Sequence, residues 1–197
     1  MSIYGLKSGF QDLLRPAAQA LARGGVTANQ VTIAAVMLCA AWAAGAAMAD
    51  ARWWLLLLPP VLLVRMALNA LDGMLAREHG QASKLGAVLN EAGDLLGDAL
   101  CYLPLALLLP GDSALLLSVI ALGLLSEIIG IAVQAAGGAR AYDGPLGKPD
   151  RAFAFSLLSV IAYSGVDLLP VAWNGLFALL IALALLTTWN RLRRARA

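Results

Sequence analysis

Charge is what this sequence has least of. Asp, Glu, Lys and Arg make up 13% of its 197 residues, about half of the roughly 25% found in ordinary soluble domains. That shortage argues against a soluble enzyme. It does not point to disorder, because 61% of the residues are hydrophobic and disorder requires low hydrophobicity with high net charge. Histidine occurs once, at His79 in a polar loop, so histidine chemistry has almost nothing to stand on. The two cysteines, Cys39 and Cys101, sit singly in apolar runs with no CxxC spacing. That excludes a disulfide framework and argues against a zinc site. The net charge of +2 gives no reason to expect a nucleic-acid partner.

What the chain has instead is apolar length. A water-soluble core cannot hide so much hydrophobic surface at this size, so the solvent must be a bilayer. A spanning helix needs about 20 mostly apolar residues. Six stretches qualify: Val31–Ala49, Trp53–Leu75, Leu85–Leu109, Ser113–Ala136, Ala152–Val166 (extending back toward Lys148) and Leu168–Trp189. Turn signals separate them at Asp50-Ala51-Arg52, Pro110-Gly111-Asp112 and Asp167 followed by Pro170. Residues 1–24 alternate apolar and basic positions, which predicts an interfacial amphipathic helix. The expected fold is therefore an all-α integral membrane protein forming one membrane domain over 1–197. It comprises the interfacial helix, a six-helix bundle over 25–190 and a basic tail over 191–197.

Twelve of the fourteen basic residues fall on one side of these spans, leaving Arg52 opposite and Arg65 within a span. The positive-inside rule then puts both termini in the cytoplasm. A bacterial inner membrane is the expected location. Trp53, Trp54, Trp173 and Trp189 lie near span ends, where interfacial anchors are expected. The basic tail reads as a topology signal or as a contact for anionic membrane lipids.

The few charges stand where charges are expensive. Arg65, Asn69, Asp72, Asn90, Glu91, Asp94, Asp98 and Glu127 lie within the spans or at their cytoplasmic ends. A charge at mid-bilayer costs about 2.5–3.5 kcal/mol even on the lenient insertion scale. At about 100° per residue, Arg65, Asn69, Asp72, Gly73 and Ala76 share one face of the second span. Asn90, Glu91, Asp94 and Asp98 share one face of the third. Matching depths on antiparallel helices sets Asp72 near Asn90 and Glu91, Asn69 near Asp94, and Arg65 near Asp98 and Glu127. Arg65, Asp98 and Glu127 read as a structural buried charge group. Asp72, Glu91 and Asp94 read as oxygen ligands for a hard divalent cation, Mg²⁺ or Mn²⁺.

The run Asn69-Ala-Leu-Asp72-Gly73-Met-Leu-Ala76-Arg77, then eight residues, then Gly86-Ala-Val-Leu-Asn90-Glu-Ala-Gly-Asp94 resembles the CDP-alcohol phosphatidyltransferase signature D-x2-D-G-x2-A-R-x8-G-x3-D-x3-D. Six of its eight fixed positions match at the correct spacing. Asn29-Gln-Val-Thr32 also looks like the short Asn-x-x-Thr entry to that family's first helix. The resemblance implies transfer of a phosphatidyl-type group from a CDP-linked donor, usually CDP-diacylglycerol, to an alcohol, releasing CMP in phospholipid synthesis. It implies divalent cations on the aspartates, with Asp94 as catalytic base, and donor contacts at Asp72, Gly73, Ala76, Arg77 and Gly86. A homodimer is implied as well.

Two departures stand out. The first and third aspartates of the pattern are Asn69 and Asn90, which can ligate through an amide oxygen but add no charge. Glu91 could restore that charge in a rearranged site. The other reading is a catalytically weakened protein that binds CDP-lipid. The loop before the fifth span carries Arg140, Lys148 and Arg151. They suggest contacts to a small acceptor alcohol with an anionic group, such as a sugar or glycerol phosphate. Gly93 and Gly97 form a G-x-x-x-G pair, and Ser126 and Gly130 a small-residue pair, expected to tighten helix packing. An ion transporter is the weakest alternative, because Asp72, Glu91 and Asp94 cluster toward one face.

Overall fold

The computed structural model describes residues 3–48, 52–138, 144–166 and 168–194, with side chains from residue 9 onward. Arg140, Asp50, Asp167 and the last three residues lie outside that set. Every element in it is helical. α1 is Ile3–Arg23 and α2 is Ala28–Met48, followed by a 3₁₀ turn at Arg52–Leu57. α3 is Leu58–Glu78, α4 Lys84–Tyr102, α5 Leu105–Leu108, α6 Ser113–Ala135, α7 Lys148–Tyr163 and α8 Pro170–Arg194.

Helices stand at all six expected spans. Four segments, Ala28–Met48, Arg52–Glu78, Ser113–Ala135 and Pro170–Arg194, are long and apolar enough to cross a membrane. They make the chain an integral membrane protein. Lys84, Glu91, Asp94 and Asp98 interrupt the apolar character of α4. α7 has 16 residues, about 24 Å at 1.5 Å per residue, short of a core about 30 Å thick. Large apolar side chains point outward on several helices, among them Leu63, Val64, Leu117, Ile128, Leu179 and Leu186. Such exposure suits a lipid-facing surface rather than a wet one.

The chain forms two compact units. The first comprises residues up to Ala41 together with Val61–Gly97. Its core is Ala18, Ala28, Val31, Leu71, Met74 and Leu75, with Leu14, Leu21 and Leu68 packed against it. α1 ends because Gly25 takes a left-handed φ of 73°. Gly25 N–H then donates to Ala22 O (3.1 Å) and Val26 N–H to Leu21 O (3.0 Å), a Schellman closure. α2 begins with a reciprocal cap: Gln30 N–H donates to Thr27 Oγ1 (3.3 Å) and Thr27 N–H to Gln30 Oε1 (2.9 Å). Gln81, in the α3–α4 loop, accepts from Ala28 N–H (2.6 Å) and donates to Val26 O (3.2 Å). That clamp ties the loop to the start of α2. Ser83 Oγ accepts from Gly86 N–H (2.9 Å) and opens α4.

The G-x-x-x-G pair tightens packing within this unit. A Cβ on Gly93 would lie 3.2 Å from Thr32 Cγ2 on α2, and one on Gly97 would lie 2.7 Å from Arg65 Nε on α3. Glycine lets both helices approach α4 closely.

The second unit comprises Trp42–Pro60 and the residues from Asp98 onward. α6 is capped by Asp112, whose Oδ1 accepts from Ala114 N–H (2.8 Å). α7 starts at Lys148 and is opened by Asp150, whose carboxylate accepts Gly147 N–H (2.9 Å). Tyr102 and Phe155 rings meet at 4.3 Å between centroids. One anchor expectation is corrected: Trp173 is 1% exposed and packs on Phe177, so its indole fills the core. Trp53 stacks on Trp54, and Arg193 lies over the Trp189 ring, both as surface aromatics can.

Candidate active site

In the first unit, α3 and α4 turn their polar faces toward each other. Asn69 Nδ2 donates to Asp94 Oδ1 at 2.6 Å. Asn90 Nδ2 donates to Asp72 Oδ2 at 3.3 Å. These are two of the pairings that depth matching predicts. They arise because a five-residue loop, 79–83, makes the helices antiparallel neighbours, so residues equally far from the loop meet.

Asp72 is 2% exposed. Its Oδ2 also accepts from Thr32 Oγ1 of α2 at 2.8 Å, while its Oδ1 is buried and accepts no hydrogen bond. A buried acceptor oxygen in that state costs on the order of 1–3 kcal/mol, and more when it is charged. Thr32 escaped assignment as a site residue from sequence. Its signal was the Asn29-x-x-Thr32 spacing, which puts both side chains on one face of α2. Asn29 Oδ1 lies 2.9 Å from where a Cβ on Gly86 would stand, so that face meets the start of α4. A shallow depression lined by Thr27, Ala28, Asn29 and Gln81 opens at the same end of α2.

Arg65 is 4% exposed. Its Nη2 donates to the main-chain carbonyl of Asp94 at 2.7 Å and lies 3.8 Å from Asp94 Oδ1. This ion pair lies beside the bond from Asn69 to the Asp94 carboxylate. Arg77 is exposed, with its guanidinium folded over Gly73; a Cβ there would meet Nη2 at 2.9 Å. Ala76 is half-buried against the core shared by α1, α2 and α3.

The structure does not bring Glu91 together with Asp72 and Asp94. Among the described residues, no three His, Cys, Asp or Glu side chains gather as a metal-binding group. The reason lies in helical phase: Asn90 and Glu91 occupy opposite edges of the α4 stripe, about 100° apart, and Asn90 is the one that reaches Asp72. Two carboxylates and two amides remain. They suit a hard divalent cation in oxygen chemistry, and the bare Asp72 Oδ1 is an acceptor in want of a partner.

The other buried acids are held differently. Arg151 Nη2 donates to Asp98 Oδ2 (2.8 Å) and Glu127 Oε1 (3.0 Å). Arg191 Nη1 donates to Ser126 O (2.7 Å), and its Nη2 donates to Glu127 Oε1 (3.2 Å). Both arginines are 1% exposed. Sequence reasoning placed Arg151 on the acceptor and Arg191 in a tail. The structure puts them inside the second unit, each bonded to buried acid. Gly123 makes room for this, since a Cβ there would lie 2.8 Å from Arg151 Cδ.

The sequence profile of the CDP-alcohol phosphatidyltransferase family matches residues 25–190. The chain belongs to that family. It is 40% identical over 199 residues to the inner membrane protein YnbA of Escherichia coli (strain K12), across 100% of this chain and 96% of that protein. It is 29% identical over 169 residues to a phosphatidylinositol phosphate synthase of Mycolicibacterium smegmatis, across 83% of this chain and 72% of that one. Crystal structures of the phosphatidylinositol phosphate synthase of Mycobacterium tuberculosis share the fold. The form with CDP-DAG bound gives a TM-score of 0.73 at 24% identity, covering 91% of this chain and 92% of that one. The form with manganese and citrate gives 0.72 at 24%, covering 92% and 88%. This family signature is the segment that α3 and α4 present on their facing stripes.

Proposed function

We propose that the protein transfers a phosphatidyl-type group from a CDP-linked lipid, CDP-diacylglycerol, to an alcohol and releases CMP. The observation that carries this reading is the facing of Asp72 and Asp94 across α3 and α4, inside a signature that matches at six of eight positions. The acceptor oxygen forms a bond to the phosphorus that bears the lipid. The bond from that phosphorus to the CMP oxygen breaks. Asp94 holds the proton taken from the acceptor hydroxyl, a general-base role. Arg77 meets donor phosphate with its planar donor fork; Gly73 leaves room for the Arg77 guanidinium and Gly86 for the Asn29 side chain at the same end of the site. A divalent cation, held by Asp72 and Asp94 with amide oxygens of Asn69 and Asn90, would neutralise the pyrophosphate.

The remaining assignments follow from this reading. Arg140 and Lys148 recognise the acceptor, and Arg151 fixes the start of α7 beneath Lys148 through its bonds to Asp98 and Glu127. Arg65 is a structural counter-ion for buried acid. The six helices α2, α3, α4, α6, α7 and α8 span the membrane, with the site and both termini cytoplasmic, in a homodimer. The amide substitutions favour one rival, a CDP-lipid-binding protein without turnover. Purified protein given CDP-diacylglycerol, Mg²⁺ or Mn²⁺ and a panel of alcohols decides between them. The panel includes glycerol phosphate and inositol phosphate, because one relative and the solved structures are named phosphatidylinositol phosphate synthases. Acceptor-dependent CMP release is expected. Binding of the donor with no CMP from any alcohol would replace the transferase reading with the rival.

A further inference from the structure

The four polar side chains between α3 and α4 follow one crossed pattern. Each helix supplies an aspartate and, one turn earlier, an asparagine. Asn69 of α3 bonds to Asp94 of α4, and Asn90 of α4 bonds to Asp72 of α3. The set therefore carries two negative charges on four side chains, with Arg65 adding a positive charge 3.8 Å from Asp94 Oδ1. Independently, Asp72 Oδ1 is buried without a hydrogen bond on a residue 2% exposed. That oxygen points to a ligand that donates positive charge. One divalent cation would balance the two carboxylates. A second would leave two positive charges uncompensated beside Arg65, and no third carboxylate joins the group among the described residues.

We infer that this site takes one divalent cation per chain in the absence of donor, held by Asp72 and Asp94, with Asn69 and Asn90 turning their amides from hydrogen-bond donors to oxygen ligands. The inference deepens the transferase reading and rests on it only for what the cation does in the reaction. Both asparagines then act as a limit on stoichiometry: they complete an oxygen shell while withholding the charge that a second ion needs. The amides can turn because an asparagine presents NH₂ and C=O at the same reach.

Metal-stripped protein in detergent, titrated with Mn²⁺ and followed by the electron-paramagnetic signal of the free ion, tests this without turnover. One tightly bound Mn²⁺ per chain is expected. Asn69→Ala should weaken it by about tenfold or more, the scale on which ligand-shell losses act. The double variant Asn69→Asp, Asn90→Asp should bind two. Two ions on the unaltered chain, none, or a single ion persisting in the folded double variant would overturn the inference. If the double variant does not fold, Asn69→Asp alone decides: a tighter ion supports the inference and unchanged affinity overturns it. CMP release, measured in parallel, separates the two claims. One ion without CMP release removes the transferase reading and keeps the stoichiometry; CMP release with two ions does the reverse.

Discussion

Among the described residues, two groups of acids lie on apolar helices, one in each compact unit, and they are satisfied differently: Asp98 and Glu127 are buried with arginines, whereas Asp72 is buried and Asp94 partly exposed. In the second unit, Asp98 and Glu127 meet the guanidinium groups of Arg151 and Arg191 at 2.8–3.2 Å. Two negative charges face two positive ones. In the first unit, Asp72 and Asp94 receive neutral donors, Thr32, Asn90 and Asn69. Arg65 flanks Asp94 at a longer 3.8 Å. A closed ion group holds helices together. An acid pair dressed with amides keeps its charge available. On the proposed reading, the contrast separates scaffold from chemistry where burial does not, since Asp98 and Asp72 are equally hidden at 1% and 2% exposure.

The sharpest way to break this contrast is to remove one acid from each group and read activity beside stability. Asp94→Asn should lower CMP release by about 10²–10⁴-fold, the usual loss on removing a general base. Its melting temperature in detergent should stay close to that of the parent, because an amide can keep the bond to Asn69. Near-native turnover would remove Asp94 from the chemistry.

Arg151→Ala should do the opposite and strike stability first. Taking the guanidinium from Asp98, while Glu127 keeps Arg191, costs on the order of 3–5 kcal/mol. Adding Asp98→Asn should recover part of it by removing the buried charge that has lost its arginine. Thermal unfolding of the single and double variants decides, and a double variant no more stable than Arg151→Ala would sever the pairing.

Asp72→Asn provides a smaller test. It neutralises a carboxylate whose Oδ1 lacks a hydrogen bond, so stability should hold or rise by about 1 kcal/mol, while Mn²⁺ binding is lost. A clear drop in melting temperature would class Asp72 with the scaffold acids. Glu91→Gln should change least. With Glu91 outside the Asp72–Asp94 group, the Mn²⁺ titration should match that of the parent. A weakened titration would restore Glu91 as a ligand and the three-carboxylate site with it.

How far sequence reasoning reached depended on the separation of partners along the chain. Asn69 with Asp94 and Asp72 with Asn90 are 25 and 18 residues apart. They are carried by neighbouring helices on a short loop, so phase and depth were enough to pair them. Arg151 with Asp98 and Arg191 with Glu127 are 53 and 64 residues apart. They join helices whose neighbours no spacing reveals. Both arginines therefore looked like loop or tail charges. Trp173 looked like an interfacial anchor for the same reason: position along a span is readable, but rotation toward a neighbour is not. Glu91 stands at the edge of its helix stripe, where a side chain can belong to either side, and the structure does not gather it with Asp72 and Asp94.

The sequence by itself determined the solvent, the helices and the family. Apolar length, the placement of turns and a spaced signature are all one-dimensional facts, and helical hydrogen bonding is local. Tertiary structure alone decided that Asp98 and Glu127 are bonded by guanidinium groups while Asp72 and Asp94 are bonded by amides, with Arg65 beside Asp94. That choice depends on which helix faces intrude between others. It is settled by close-packed contacts such as Gly97 against Arg65 and Gly123 against Arg151, where the absence of a single Cβ lets a guanidinium lie where it does.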